Sequence, residues 1–300
     1  AGHPEFGHCP GVEVTTGPLG QGISTAVGMA LAERLLNAQY GDELVDHRTW
    51  VIASDGDLQE GVSHEAIALA GHLKLNRLVV LWDDNSISID GDTALSDSLD
   101  HRARFEAAGW AVLSVDGHDP QAVDAALEKA RASDRPVLIA CKTTIGFGAP
   151  TKAGTAAAHG AALGDEEIAA TRKALGWDHG PFEIPEDVYE GWRAAAVCGG
   201  EAHAAWEQRL QQSAHLEAFI AQLSGEAPVE ALEALKAHIK TLLSDKPALA
   251  TRAASGKAID AFWQAHPGLI GGSADLTGSN NTRGEGQGVV TAPDYQGAYI

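Results

Sequence analysis

The 300 residues carry 21 basic against 41 acidic side chains, a formal charge of −20, with 44% apolar and 21% charged residues. That is enough chain for one large or two ordinary domains with a real core, and the acidity argues against nucleic acid or an anionic membrane as partner. No apolar run is long enough to span a bilayer, Ala1-Gly2-His3-Pro4 lacks the features of a signal peptide, and three scattered cysteines (Cys9, Cys141, Cys198) form neither a disulfide framework nor a zinc pattern. A reducing, cytoplasmic setting is the expectation.

In chain order, strands are expected at Trp50–Ala53, Leu78–Trp82, Ala111–Val115 and Val137–Cys141, with helices at Gly22–Gln39, Val62–Leu73 and Pro120–Ala132. Short β-branched apolar runs read as strands buried on both faces, and their alternation with helices means an α/β fold with a doubly wound, mainly parallel sheet. Residues 142–164, rich in Gly, Ala and Thr, read as a long functional loop. Helices are then expected at Glu166–Leu175, Glu201–Leu223, Val229–Leu243 and Pro247–His266, followed by a strand-to-loop segment at Leu269–Asp275. Composition and punctuation suggest a first domain at 1–222, a linker at 223–245 and the truncated start of a second α/β domain at 246–300. With no initiator Met and an apolar last stretch, Gly297-Ala298-Tyr299-Ile300, the chain reads as an internal fragment lacking both ends.

Two signals carry the chemistry. Ser54-Asp55-Gly56 directly follows the run Thr49–Ala53, and Asp83-Asp84-Asn85-Ser86-Ile87 begins where Leu78–Trp82 ends. A strand–helix–strand unit places Asp55 and Asn85 at the carboxyl ends of neighbouring parallel strands, where open α/β sheets bind ligands. A carboxylate, an amide oxygen and a nearby backbone carbonyl suit a hard cation that also takes phosphate oxygens, Mg²⁺ or Ca²⁺. Upstream, Thr15-Thr16-Gly17-Pro18-Leu19-Gly20-Gln21-Gly22 is a Gly-rich loop feeding a helix, able to press its backbone on a cofactor while Leu19 offers an apolar surface to a flat ring. Taken singly each is an ordinary turn; together they read as a metal-diphosphate site.

These strings resemble the transketolases, thiamine-diphosphate enzymes. The resemblance also rests on His3-Pro4-Glu5, Leu69-Ala70-Gly71-His72-Leu73-Lys74-Leu75 and Ser88-Ile89-Asp90-Gly91. Further on it includes Cys141-Lys142-Thr143-Thr144-Ile145-Gly146-Phe147-Gly148, Lys152-Ala153-Gly154-Thr155 and Gly271-Gly272-Ser273-Ala274-Asp275-Leu276-Thr277. It implies the thiamine-diphosphate-binding fold, with a diphosphate-binding domain followed by a pyrimidine-binding domain. It implies Mg²⁺, or Ca²⁺ or another divalent cation, on Asp55, Asn85 and the carbonyl of Ile87. Gly56 would pack on the diphosphate, and Gly17, Pro18 and Leu19 would line the thiamine. Glu60 and Glu65 match a proton relay between the two active sites of a homodimer. His3 and His159 match positions touching donor sugar and cofactor. Arg252 and Ser279 match the binders of the sugar phosphate, and Asp275 a cofactor contact.

The implied reaction moves a two-carbon ketol unit from a ketose phosphate such as xylulose 5-phosphate to an aldose phosphate such as ribose 5-phosphate, in the pentose phosphate pathway or in carbon fixation. The Glu and the ring-holding aromatic that such enzymes use in the second domain do not fall within these residues, so the isolated fragment is expected to be inactive. The alternatives are another thiamine-diphosphate carboligase, dihydroxyacetone synthase or deoxyxylulose-phosphate synthase, and a non-catalytic transketolase-like binding protein. Two departures stand out: Ser54 replaces a glycine of the diphosphate motif, and Asp57 adds an acid beside the ligand. The loop Thr155–His159 is plainer than the usual polar version.

Overall fold

The structure, a computed structural model, describes residues 4–266 and 268–300; His3 lies outside them. The chain divides into two compact units, one formed by the residues up to Arg34 with His47–Glu201, the other by Leu35–Asp46 with Ala202–Ile300.

The order is α1 (Gln21–Tyr40), of which residues 35–40 belong to the second unit, and then within the first unit β1 (Thr49–Ser54), α2 (Asp55–Gln59), α3 (Gly61–His72), β2 (Leu78–Asp84), a hairpin of β3 (Ile87–Ser88) and β4 (Gly91–Asp92), α4 (His101–Ala107), β5 (Ala111–Asp116), α5 (Pro120–Arg131), β6 (Val137–Lys142) and α6 (Asp165–Ala174). Four strands form a sheet in the order β1-β2-β6-β5, every pair parallel. The central strands explain their own position. Leu78, Val79, Val80, Leu138 and Ile139 are fully buried, as strands covered on both faces require. On one face Val79, Val137, Ile139 and Cys141 pack against Ala126 and Ala130 of α5.

Local chemistry starts the helices. Asp119 caps α5 by accepting from the amides of Gln121 and Ala122, with Pro120 in the first turn, and Asp100 caps α4 through the Ala103 amide at 3.0 Å. At the end of α3 an added Cβ on Gly71 would fall 1.8 Å from the Ala108 carbonyl oxygen. Only glycine lets α3 meet the turn after α4 so closely. The register brings Ser54 beside Asp83, and both Asp84 and Asp116 beside Lys142. The carboxyl ends of all four strands therefore emerge together. Residues 143–164 are irregular apart from one 3-10 turn at Ala156–Ala158.

The second unit is helical: α8 (Leu216–Leu223), α9 (Val229–Asp245), α10 (Thr251–Ala265) and α11 (Thr277–Asn280) follow α7 (Glu186–Gln212). Its core gathers Tyr40, Leu44, Val45, Leu210 and Phe219, with Tyr40 and Phe219 edge-to-face at 5.1 Å. Three expectations need correction. The helix expected at Glu201–Leu223 starts at Glu186 and breaks after Gln212. Gly199 and Gly200 sit inside it with no heavy atom near an added Cβ, so the helix carries them in open space. The helix expected from Pro247 starts at Thr251: Lys246 closes α9 in a left-handed conformation, and Ala250 is still extended just before α10. The segment Leu269–Asp275 forms no strand; only an isolated bridge joins Gly271 to Tyr299.

Candidate functional site

Asp55 is the first residue beyond β1 and opens α2. Ser54 caps that helix in a reciprocal box: its hydroxyl accepts from the Asp57 amide at 3.3 Å, while Asp57 Oδ2 accepts from the Ser54 amide at 2.8 Å. The cap aims Asp55 inward, and the residue is 6% exposed. Its Oδ1 accepts from Trp82 Nε1 at 3.1 Å and its Oδ2 from the Ser86 amide at 3.0 Å. Burial pushes the Asp55 carboxyl above its ordinary range; the Trp82 hydrogen bond opposes that rise and the charge of Asp84 adds to it. A buried carboxylate in this state gains from a cation.

Asn85 follows β2. Its side-chain oxygen accepts from the Ile87 amide at 2.9 Å and its nitrogen donates to Asp83 at 3.2 Å. Ser86 adopts φ 62, left-handed, which bends the chain into the β3–β4 hairpin. The Ser86 amide contact thus joins the loop carrying Asn85 and Ile87 to Asp55.

The Gly-rich loop arrives at the same place. Gly20 has φ +77, and a Cβ there would lie 2.9 Å from both Glu60 Cβ and Val62 Cγ1. Its amide donates to Asp57 Oδ1 at 3.0 Å. Asp57, which the sequence shows only as an extra acid, therefore ties the Gly-rich loop to the end of β1. Leu19, 48% exposed, lies over Gly56: a Cβ on Gly56 would come within 3.1 Å of Leu19 Cδ1. Gly17, Pro18, Leu19, Gly56, Asp55, Asn85 and Ile87 thus come from three segments that converge. A cavity of about 940 Å³ opens alongside, between Gly17, Pro18, Met29, Trp50 and Asp57.

The remaining expected residues are placed as follows. Glu60 precedes α3 and Glu65 lies on it, both exposed. His159 is exposed at the end of the Ala156–Ala158 turn. Arg252 (first turn of α10), Ser279 (in α11) and Asp275 (φ 66) are exposed and belong to the second unit. Within it α10 meets the end of α11 closely, since a Cβ on Gly256 would lie 2.9 Å from Asn281 Cβ.

Comparison with known proteins now decides the family. Residues 1–228 match the family described as transketolase, thiamine diphosphate binding domain. The chain belongs to the transketolase family. A transketolase of Cereibacter sphaeroides is 56% identical over 301 residues, covering 100% of this chain and 46% of that protein. One of Rhodobacter capsulatus is 52% identical over 285 residues, covering 94% of this chain and 42% of its own. The solved transketolase of Leishmania mexicana superposes with a TM-score of 0.91 at 40% identity, over 99% of this chain and 45% of that one. A transketolase of Pichia stipitis in complex with sedoheptulose 7-phosphate gives 0.90 at 36% identity, over 99% and 46%. The chain therefore spans a little under half the length of its transketolase relatives. The fold is that of the thiamine-diphosphate-binding domain, and thiamine diphosphate is the cofactor that domain binds. No helix among the described residues is long and apolar enough to cross a membrane.

Residues that the sequence reading passed over are Trp82, Arg102 and Lys142. Arg102 Nη2 donates to Asp84 at 2.6 Å and Lys142 Nζ to the same carboxylate at 3.2 Å. They lie on β2, α4 and β6, and no spacing along the chain announces that they meet.

Proposed function

We propose that the protein is a transketolase, moving a two-carbon ketol unit from a ketose phosphate to an aldose phosphate with thiamine diphosphate and a divalent cation. The observation that carries it is the meeting of buried Asp55 with the Asn85–Ile87 loop through the Ser86 amide, in a chain of this family. The donor set fits such a cation. Asp55 accepts from Trp82 on Oδ1 and from the Ser86 amide on Oδ2, a carboxylate having about four lone-pair sites in all, and Asn85 and the Ile87 carbonyl supply neutral oxygens. Among the described residues no three His, Cys, Asp or Glu side chains form a metal cluster. A cation held by one carboxylate and two neutral oxygens would leave room for phosphate and water oxygens, which suits Mg²⁺ and is tolerated by Ca²⁺. The Leu19–Gly56 contact leaves an open apolar surface for a flat ring.

When bound, thiamine diphosphate supplies the carbanion chemistry that breaks the bond between the second and third carbons of the ketose. The chain's own residues bind, orient and move protons. Gly17, Pro18 and Leu19 line the thiamine, and Gly56 lets the diphosphate approach the backbone. His159, with His3, moves protons on sugar hydroxyls, the task suited to imidazole near neutral pH. Arg252 and Ser279 hold the sugar phosphate, where a permanently charged fork gives an acidic protein a local anion site, and Asp275 contacts the cofactor. Glu60 and Glu65 form the relay of a homodimer. The P. stipitis complex with sedoheptulose 7-phosphate supports sugar phosphates as the substrate class. A cytoplasmic setting in the pentose phosphate pathway or carbon fixation accords with that chemistry.

Ketol transfer from xylulose 5-phosphate to ribose 5-phosphate by the full-length protein, dependent on thiamine diphosphate and Mg²⁺, tests the reading. Asp55→Ala should abolish cation-dependent cofactor binding. Use of pyruvate as donor in place of xylulose 5-phosphate would favour the deoxyxylulose-phosphate synthase alternative.

A further inference from the structure

The proposed cation ligands stand on two separate pieces of chain, and a closed ring of contacts joins them. Trp82 Nε1 donates to Asp55 Oδ1 at 3.1 Å. The Trp82 ring lies against the Arg102 guanidinium, 5.1 Å from carbon to centroid. Arg102 Nη2 donates to Asp84 Oδ2 at 2.6 Å, and Asp84 Oδ1 accepts from Lys142 Nζ at 3.2 Å. Lys142 Nζ also donates to Ser86 Oγ at 2.8 Å, and the Ser86 amide returns to Asp55 Oδ2 at 3.0 Å. Every link is direct, and the ring passes through Asp55 and through Ser86, the residue between Asn85 and Ile87.

We propose that Trp82 and Lys142 are positioning residues for the divalent-cation site. Trp82 fixes the plane of the Asp55 carboxylate, and Lys142 fixes the left-handed Ser86 turn that presents Asn85 and the Ile87 carbonyl. The proposal rests on the reading of those three residues as the cation ligands. A purely structural role explains the ring less well. The side chains of Arg102 and Lys142 are 39% and 58% exposed, and ion pairs so open to solvent contribute little to stability. Trp82 is buried, where phenylalanine would fill space without needing a partner; the indole N–H instead meets the proposed ligand carboxylate. Ser86 at φ 62 is a conformation that a non-glycine residue holds only when its surroundings impose it, and two ring members contact it. Partners that orient ligands in this way typically contribute about 10–100-fold to metal affinity.

The test uses Mn²⁺ as the probe, titrated into the full-length protein with thiamine diphosphate present, with free Mn²⁺ read by electron paramagnetic resonance. Trp82→Phe and Lys142→Met are each expected to weaken Mn²⁺ binding by about tenfold or more. Lys142→Met should barely move the thermal midpoint of the cation-free protein, and Lys142→Arg, which still reaches Asp84 and Ser86, should restore affinity. Lys142 is exposed, so its variants read the proposal even if Trp82→Phe folds poorly. Wild-type Mn²⁺ affinity in Lys142→Met and Trp82→Phe, with binding lost in Asp55→Ala, would overturn the positioning role and leave the cation site standing. Wild-type Mn²⁺ affinity in Asp55→Ala would overturn both.

Discussion

Asp57 makes the sharpest distinction between an acid that serves the cation and one that holds the fold. Its Oδ2 accepts from the Ser54 amide at 2.8 Å and the Ser54 hydroxyl at 2.7 Å, and its Oδ1 accepts from the Gly20 amide at 3.0 Å. Truncation in Asp57→Ala removes the return half of the capping box, the bonds accepted from the Ser54 amide and hydroxyl, a loss of about 0.5–1.5 kcal/mol. It also strands the buried Gly20 N–H, for about 1–3 kcal/mol more. The two effects share one half-buried side chain, so about 2–4 kcal/mol is expected, or roughly 5–15 °C in the unfolding midpoint of a domain of this size. Asp57→Asn keeps one acceptor oxygen and can serve Ser54 or Gly20 but not both, so it should lose about half as much. Thermal unfolding of the full-length protein by circular dichroism, without cofactor or cation, reads these shifts. Because Gly20 closes the loop proposed to line the thiamine, affinity for thiamine diphosphate should fall in parallel. A cation-free midpoint within about 1 °C of wild type in Asp57→Ala, together with lost cation binding, would refute the clamp and make Asp57 a ligand instead.

Three further outcomes are expected. Gly71→Ala places a methyl 1.8 Å from the Ala108 carbonyl oxygen, a backbone atom that cannot step aside, so a loss of at least about 1–3 kcal/mol should appear in thermal unfolding. His101 is buried with Asp97 on Nε2, and Arg104, His64, Arg102 and the Trp82 ring lie near; burial, then the Arg104 charge, holds its pKa below the ordinary 6.5 while Asp97 opposes them. A depressed folded-state pKa contributes stability above the unfolded value that is lost as pH falls through the folded one. The stability gap between wild type and His101→Gln, followed by thermal midpoint against pH, should therefore be widest above about 6.5 and narrow below it. Arg252→Ala should raise KM for a phosphorylated ketose by about 10–100-fold, the worth of a charged hydrogen bond, and leave an unphosphorylated donor unaffected in steady-state assays.

The sheet was legible because its central strands are buried on both faces. Leu78–Trp82 and Val137–Cys141 are continuous apolar runs, and the observed strands extend them by only one or two residues. The first half of α7, residues 186–200, was not, since its exposed surface and the Gly199-Gly200 pair blur the 3.6-residue rhythm that announces a helix packed on a core. At the site, Asp55 and Asn85 were readable because each directly follows a strand, so sequence position alone fixes their place. Asp57 was also within reach: Ser54-x-x-Asp57 is the spacing of a capping box, yet beside a ligand it reads more naturally as a second acid.

Trp82, Arg102 and Lys142 belong to another category. They arrive from β2, α4 and β6, and their convergence exists only after the strands have taken the order β1-β2-β6-β5, with β6 inserted between β2 and β5. Lys142 reaches Asp84 because the register sets those two residues side by side. Slipping β6 by one residue would turn Lys142 to the opposite face and open the ring. The exposed residues His159, Arg252 and Ser279 pose the reverse problem. A side chain in the role proposed for them is solvated until a substrate comes, so neither periodicity nor burial marks it. Only its neighbours in sequence, the strings shared with a family, point to it. Strand ends thus identify where the proposed ligands stand, while tertiary register brings together the residues proposed to hold them.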